Sequence, residues 1–363
     1  MRKLAAFLLG LLLLTVPAFG EEPCCGGYVG IGGGGGGGLD PGSPPAVASG
    51  CYTGNATDDR LITTGFEPDV VILTEIDVGT ANDSFWRTSA MSGDFSCAWE
   101  TSATGCPANR IQSFEAMGFV VGTDNDVNGS GEDYCWVAWA CTPNFCEVGT
   151  YTGDNEVTQT VTTGFVPDGL MMVQRTFTGG SGQYVKTIGM PDGAAVDWSR
   201  SVGEGLRTDY ITAFTIGDPP SFTVGNGASS SGETNQSPIV YDYVAFNKVE
   251  KQWFDEGVYQ GSGELSITIE TICDEIDWVW VTEGANGALT CKVWRSIDMV
   301  DAINDIDARW AATSDVPQAQ EGLGDLDGNT GSFVVHDGNG AGTWDCTAAD
   351  NSPYYWFALC SNP

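Results

Sequence analysis

Carboxylates dominate the side chains able to do chemistry: 48 Asp and Glu stand against 14 Lys and Arg and a single His. Asp124-x-Asp126-x-Asn128-Gly129 places oxygen ligands at alternate positions with a glycine for the turn, as a calcium loop opens, and Asp325-x-Asp327-x-Asn329 repeats the spacing. The bidentate carboxylate expected at the twelfth position of the first loop is Cys135. Calcium is therefore the one cofactor the sequence suggests, and Asx residues that simply shape a hairpin loop are the competing account. Glu75-Ile76-Asp77 and Glu275-Ile276-Asp277 begin a strand pattern in which alternate carboxylates face a glycoside. The second catalytic acid is replaced by Thr80 and by Trp280, so a hydrolase reading lacks half its machinery. Any Ser-His-Asp or Cys-His arrangement would rest on His336, which follows Phe333-Val334-Val335 and reads as a strand end. No catalytic residue is assigned.

Aromatic side chains offer a second kind of chemistry, stacking on sugar rings. Trp136, Trp139, Trp278, Trp280 and Trp356 lie in strand-like runs and read as core. Trp86, Trp99, Trp198 and Trp344 lie among Gly and Ser and are the candidates for a surface glycan. The 12 cysteines fall as Cys24 and Cys25, six from Cys51 to Cys146, and four from Cys273 to Cys360. Even numbers in an exported chain imply disulfides closed within each region, with Cys97 and Cys106 the expected local pair. No C-x-x-C pair exists, which argues against structural zinc.

A formal net charge of −34 repels nucleic acid and anionic membrane surfaces, so neither is an expected partner. Residues 1–20 read as a signal peptide: Met1-Arg2-Lys3 is basic, residues 4–16 are apolar, and Ala18-Phe19-Gly20 suits cleavage. Residues 21–47 are rich in Gly and Pro and read as a flexible segment, or as an assembly arm joined through Cys24 and Cys25. No later apolar run approaches 18 residues, so the mature chain is expected to lack a membrane span and to be secreted, extracellular or at the cell surface.

The elements that must position these residues recur. Tyr52-Thr53-Gly54 is followed by Gly65-Phe66-Glu67-Pro68-Asp69 and the apolar run Val70-Val71-Ile72-Leu73. Tyr151-Thr152-Gly153 leads at the same offset to Gly164-Phe165-Val166-Pro167-Asp168 and Leu170-Met171-Met172-Val173. A third version runs from Tyr259-Gln260-Gly261 to Asp277-Trp278-Val279-Trp280-Val281, one residue out of step. Each unit closes on a pair of segments, Phe119-Val120-Val121 with Tyr134-Cys135-Trp136 and their counterparts at 222 and 241 and at 333 and 354. Runs of four to six β-branched and aromatic residues bounded by Gly, Pro, Asn and Asp predict strands. The exception is 297–310, where Ile297, Val300, Ile303, Ile306 and Trp310 have helical spacing. The expected fold is all-β: three tandem β-sandwich units, jelly-roll or concanavalin-like, over residues 48–147, 148–252 and 253–363.

The first unit carries the further run Ile111-Gln112-Ser113-Phe114, Gly118-Phe119-Val120-Val121-Gly122-Thr123-Asp124 and Val127-Asn128-Gly129-Ser130-Gly131. Over residues 48–145 it resembles a β-rich repeat of phage tail-fibre and virion structural proteins and of exported bacterial proteins of unknown function. The resemblance implies a structural or host-contact role with no catalytic residues, and the signal peptide favours a cellular exported relative. The expected function is an exported, non-catalytic structural or adhesive surface protein, with self-assembly or surface glycans as partners. A carbohydrate-binding array and a glycoside hydrolase are the rival readings.

Overall fold

Short apolar runs between Gly, Pro, Asn and Asp become strands throughout, and the described chain is all-β apart from the four-residue helix α1 (Asn125–Asn128). The computed structural model describes residues 46–76, 84–99, 106–143, 145–175, 182–197, 206–226, 234–248, 253–284, 291–299, 308–309, 323–327, 331–336, 346–347 and 352–362. Residues 1–45, which hold the expected signal peptide and nearly all of the Gly- and Pro-rich segment, lie outside them.

The strands run in chain order β1 (Ala46–Thr53), β2 (Arg60–Thr63), β3 (Val70–Glu75), β4 (Ser84–Thr88), β5 (Cys97–Ala98), β6 (Ile111–Glu115), β7 (Gly118–Val121) and, after α1, β8 (Asp133–Ala140). Next come β9 (Cys146–Thr152), β10 (Thr158–Thr162), β11 (Gly169–Gln174), β12 (Gln183–Thr187), β13 (Ala194–Asp197), β14 (Leu206–Thr208), β15 (Ile211–Thr215), β16 (Ser221–Gly225) and β17 (Val240–Phe246). The last are β18 (Phe254–Gln260), β19 (Ser266–Glu270), β20 (Glu275–Glu283), β21 (Lys292–Ser296), β22 (Ala308–Arg309), β23 (Leu323–Asp327), β24 (Ser332–His336) and β25 (Pro353–Asn362). The helix expected over 297–310 does not extend to 308, because Ala308 and Arg309 pair with Trp294 and Val293 as an edge strand.

These strands build six antiparallel sheets, none closed on itself. They fall into three pairs: β1-β8-β3-β4-β5 with β2-β7-β6, β9-β17-β11-β12-β13-β14 with β10-β16-β15, and β18-β25-β20-β21-β22 with β19-β24-β23. Position by position the order is the same, with β14 added at one edge of the second.

Each large sheet buries both faces, which is why its central strands are continuous apolar runs rather than alternating ones. In β3, Val71 and Leu73 share a cluster with Ile62, Phe119 and Val121 of the small sheet, whereas Val70 and Ile72 point to the opposite side. The second pair does the same with Leu170 and Met172 against Phe222 and Val224, and the third with Val279 and Val281 against Phe333 and Val335. The opposite faces of all three large sheets meet in a fourth cluster, holding Trp86 and Trp139, Met171 and Phe246, and Trp278, Trp280, Trp294 and Phe357. Its rings touch across sheet pairs: Trp139 lies 5.9 Å from Phe246 and 6.1 Å from Trp278, and Phe246 lies 6.1 Å from Phe357 between centroids. Three separate interiors were expected; the structure adds this shared one.

Close backbone approach recurs at one register position. Gly50, Gly149 and Gly257 face Trp136, Tyr243 and Trp356, and a Cβ there would lie 2.8, 2.5 and 2.7 Å from the opposing ring. Those rings in turn meet Phe119, Phe222 and Phe333 edge-on at 5.7, 5.1 and 5.4 Å.

Trp139 is fully buried at the meeting point of the three pairs. Trp139→Ala is expected to cost about 3–5 kcal/mol, read as a lower guanidinium midpoint in equilibrium unfolding of the intact chain.

Candidate functional site

One end of each sheet pair is held by recurring polar groups, with Tyr151 buried and Tyr52 and Tyr259 half-buried. Tyr52, Tyr151 and Tyr259 donate their hydroxyls to the carbonyls of Val127, Thr234 and Cys346 at 2.5, 2.5 and 2.8 Å. Each ring also stacks on the tyrosine opposite it in the sheet, Tyr134, Tyr241 and Tyr354, with centroids 5.3, 4.9 and 4.9 Å apart. Burial pushes the Tyr52 and Tyr151 phenols well above their ordinary value, with the neighbouring tyrosine adding to the effect. They therefore remain donors across the physiological range.

The next residue carries the second tether. Asn128, fully buried, accepts from Asn55 N at 3.0 Å and donates to the carbonyls of Thr57 at 2.8 Å and Gly122 at 2.9 Å. Asn235 accepts from Asp154 N at 2.9 Å and donates to the Glu156 carbonyl at 3.0 Å, and Thr347 donates to the Glu264 carbonyl at 2.7 Å. In this way the loop after the first strand of each pair is fixed to the segment that leads into the last strand. Asn55, Asp154 and Ser262 then shape the exposed tip by accepting from the main-chain N–H two residues on.

The three residues of the expected calcium loop, Asp124, Asp126 and Asn128, are engaged within the protein. Asp124 caps α1 by accepting from Asp126 N at 3.0 Å and lies 3.4 Å from Arg110 Nε, while Asp126 pairs with Arg110 Nη2. Asn128 Nδ2 donates only to main chain, and its Oδ1 accepts from Arg60 Nη1 at 3.2 Å as well as from Asn55 N. Among the described residues no group of three or more His, Cys, Asp or Glu is placed to hold a metal ion. Asp325 and Asp327 belong to strand β23, and Asn329 lies outside the described residues.

A buried cation recurs on the strand next to the central one. Arg87, Lys186 and Arg295 are almost wholly buried, although the chain has few cations to spend. Arg87 donates to the carbonyls of Phe95, Ile111, Met91 and Gly93. Lys186 Nζ donates to Pro191 at 3.1 Å and Ala194 at 2.7 Å, and Arg295 to Leu323 at 3.2 Å. Burial lowers the Lys186 ammonium to about 8, partly opposed by Asp192. The positions were visible as Arg87-Thr88-x-x-Met91, Lys186-Thr187-x-x-Met190 and Arg295-Ser296-x-x-Met299, at the same offset from the opening tyrosine in the first two copies and one residue further in the third. All three methionines lie in the shared central cluster.

Two of the four tryptophans expected to stack on sugars, Trp86 and Trp99, are not at the surface. Trp86 and Trp99 are fully buried, 5.0 Å apart between centroids, because they sit on the large-sheet face that packs against the other two pairs. Trp198 and Trp344 lie outside the described residues. Glu75 ends β3 and is buried, Asp77 lies outside the described residues, and Asp277 sits near the start of β20, so the two carboxylate triplets occupy opposite ends of corresponding strands. His336 ends β24, and its carbonyl accepts from Cys346 N at 3.2 Å.

Ten cysteines close five disulfides: Cys51–Cys135, Cys97–Cys106, Cys141–Cys146, Cys273–Cys360 and Cys291–Cys346. In the second sheet pair the place of Cys135 is taken by Asp242, which is fully buried and ion-paired with Arg175, Nε to Oδ2 at 2.9 Å. Burial raises the Asp242 carboxyl and the Arg175 bond opposes it.

Asn128→Ala would strand the Asn55 N–H and the Thr57 and Gly122 carbonyls, at an expected cost of about 2–4 kcal/mol, and should speed proteolysis between residues 54 and 59. Lys186 binds fewer protons folded than unfolded between pH 8 and its unfolded value near 10.4, so stability should rise through that window. Urea unfolding at pH 7 and pH 10 should show a gain on the order of 1–3 kcal/mol for the native chain over Lys186→Arg, which does not titrate there. No family model matches the chain, and no curated protein matches it in sequence.

Proposed function

We propose that the chain is an exported, non-catalytic structural or adhesive protein built from three tandem copies of one two-sheet β-sandwich. The observation that carries this reading is the threefold recurrence of the hydrogen-bonded tyrosine, the loop tether, the buried cation and the glycine beneath an aromatic ring. Each of these groups is spent on holding main chain, and together they favour a rigid scaffold presenting polar loops over a reaction centre. Five disulfides suit an oxidising, extracellular setting. Among the described residues no helix is long and apolar enough to cross a membrane. The resemblance of residues 48–145 to phage tail-fibre, virion and exported bacterial repeats points the same way, toward contact and assembly. Multiple copies on one chain supply multivalency without requiring tight single contacts.

Purified secreted protein examined by negative-stain microscopy and light scattering is expected to form ordered oligomers or fibres. A strictly monomeric population at high concentration and high salt would remove the assembly role. A glycan array provides the contrast: saturable sugar binding would favour the carbohydrate-binding reading, and product release from polysaccharides would favour the hydrolase.

A further inference from the structure

We propose that the side chains of Lys248 and Asp255 become joined by an amide bond formed within the protein, with Glu256 as the proton carrier. This modification is independent of the assembly reading above and holds whether or not copies associate.

The register puts these residues where the first junction between sheet pairs is already cross-linked. Trp139 and Phe246 occupy matching positions in β8 and β17, so Lys248 stands where Cys141 stands. Both are seated alike: Cys141 N donates to Asp69 Oδ2 and Lys248 N to Asp168 Oδ2, each at 2.7 Å. From that seat Cys141 bonds to Cys146 at the start of β9, whereas Lys248 reaches Asp255 near the start of β18. Asp255 does not depend on the lysine for its position. Glu147 holds the same register place in β9 and accepts from Gly164 N at 2.6 Å, as Asp255 Oδ2 accepts from Ile272 N at 2.8 Å. The other Glu147 oxygen takes the Tyr243 hydroxyl at 3.0 Å; Trp356 replaces that tyrosine in the third pair, and Asp255 Oδ1 takes Lys248 instead.

Lys248 Nζ lies 2.5 Å from Asp255 Oδ1 and 3.5 Å from Glu256 Oε1, and the two carboxylate side chains are only 5% and 10% exposed. Phe254 stacks on Phe246 at 4.9 Å and lies 5.7 Å from Phe357, which fixes the second pair against the third and holds the amine on the acid. Desolvation works to lower the Lys248 ammonium, and its bonds to Asp255 and Glu256 outweigh it, so the ion pair is the resting state. Burial raises the Glu256 carboxyl, as a group that takes and returns a proton requires.

The bond forms by loss of water. One proton passes from Nζ to Asp255 Oδ1, leaving a neutral amine against a neutral acid. The Nζ lone pair attacks Cγ, and the charge that develops on Oδ2 is met by the Ile272 N–H. Glu256 takes a second proton from Nζ and passes it to the Oδ1 hydroxyl. The Cγ–Oδ1 bond then breaks, one water departs and the Nζ–Cγ amide remains, with no oxidation or reduction.

Intact-mass measurement and tryptic mapping of the secreted chain, reduced and denatured after folding, test the bond. The mass should be short by one water. An acylated Lys248 resists trypsin, so the peptide ending at Lys251 and the peptide beginning at Gln252 should emerge as one joined species. Lys248→Arg and Asp255→Ala should restore the water and separate the peptides. Glu256→Gln keeps the lysine and aspartate in contact, and the joined fraction in freshly secreted material should fall about tenfold or more. Full mass with separate peptides in the unaltered chain would overturn the proposal, and that measurement does not depend on any variant folding. A missing water without joined peptides, the mark of a cyclic imide at an aspartate, would overturn it too. An unchanged joined fraction in Glu256→Gln would remove Glu256 as the carrier.

Discussion

The rest of the structure depends on the mutual burial of the three large-sheet faces around Trp139, Phe246, Trp278 and Phe357. A single large sheet could cover one apolar face with its three-stranded partner and leave the other wet. Here the second face carries tryptophan, methionine and phenylalanine, and among the described residues it is the other large sheets that cover it. Packing against the other two large sheets removes that surface from water, at a gain of roughly 25 cal/mol per Å². This constraint fixes what can face outward: the small sheets, the edges and the loops.

Polar chemistry inside the molecule is arranged to serve that packing. In a chain this acidic, cations are scarce, yet Arg87, Lys186 and Arg295 are buried against main-chain carbonyls. A buried charge is tolerable only when its donors are satisfied, and the loops that follow these strands supply the acceptors. Arg110 acts comparably on Asp124 and Asp126, which turns an apparent metal loop into a helix cap with an ion pair. One register position is solved in three ways: a disulfide at Cys135, an ion pair at Asp242 and a packed ring at Tyr355. The second sheet pair thus stands without cysteine bridges between its own strands.

For function, the consequence is a division of labour. Tyrosine, asparagine and threonine hydrogen bonds fix one end of each pair, and the exposed tips at Asn55, Asp154 and Ser262 are held in defined turns. A scaffold with fixed tips suits contact with other molecules. The aromatic surface that a sugar site would need is, at Trp86 and Trp99, already consumed by the shared core.

What the sequence by itself determined is local and periodic. Apolar runs of four to six residues set the strands, Gly-Phe-x-Pro-Asp set the turns before β3 and β11, and the spacing from Tyr52, Tyr151 and Tyr259 marked one strand pattern written three times. Local cysteine spacing also marked the Cys97–Cys106 loop. Tertiary structure alone decided which side of each large sheet is wet. A strand pattern states that two faces are apolar but not what covers the second, because its cover comes from sheets about a hundred or more residues away in the chain. The same limit applied to Asp124, Asp126 and Asn128: their spacing permits a metal, and only the arrival of Arg110 and the Asn55–Thr57 main chain in space determines that their oxygens are otherwise engaged.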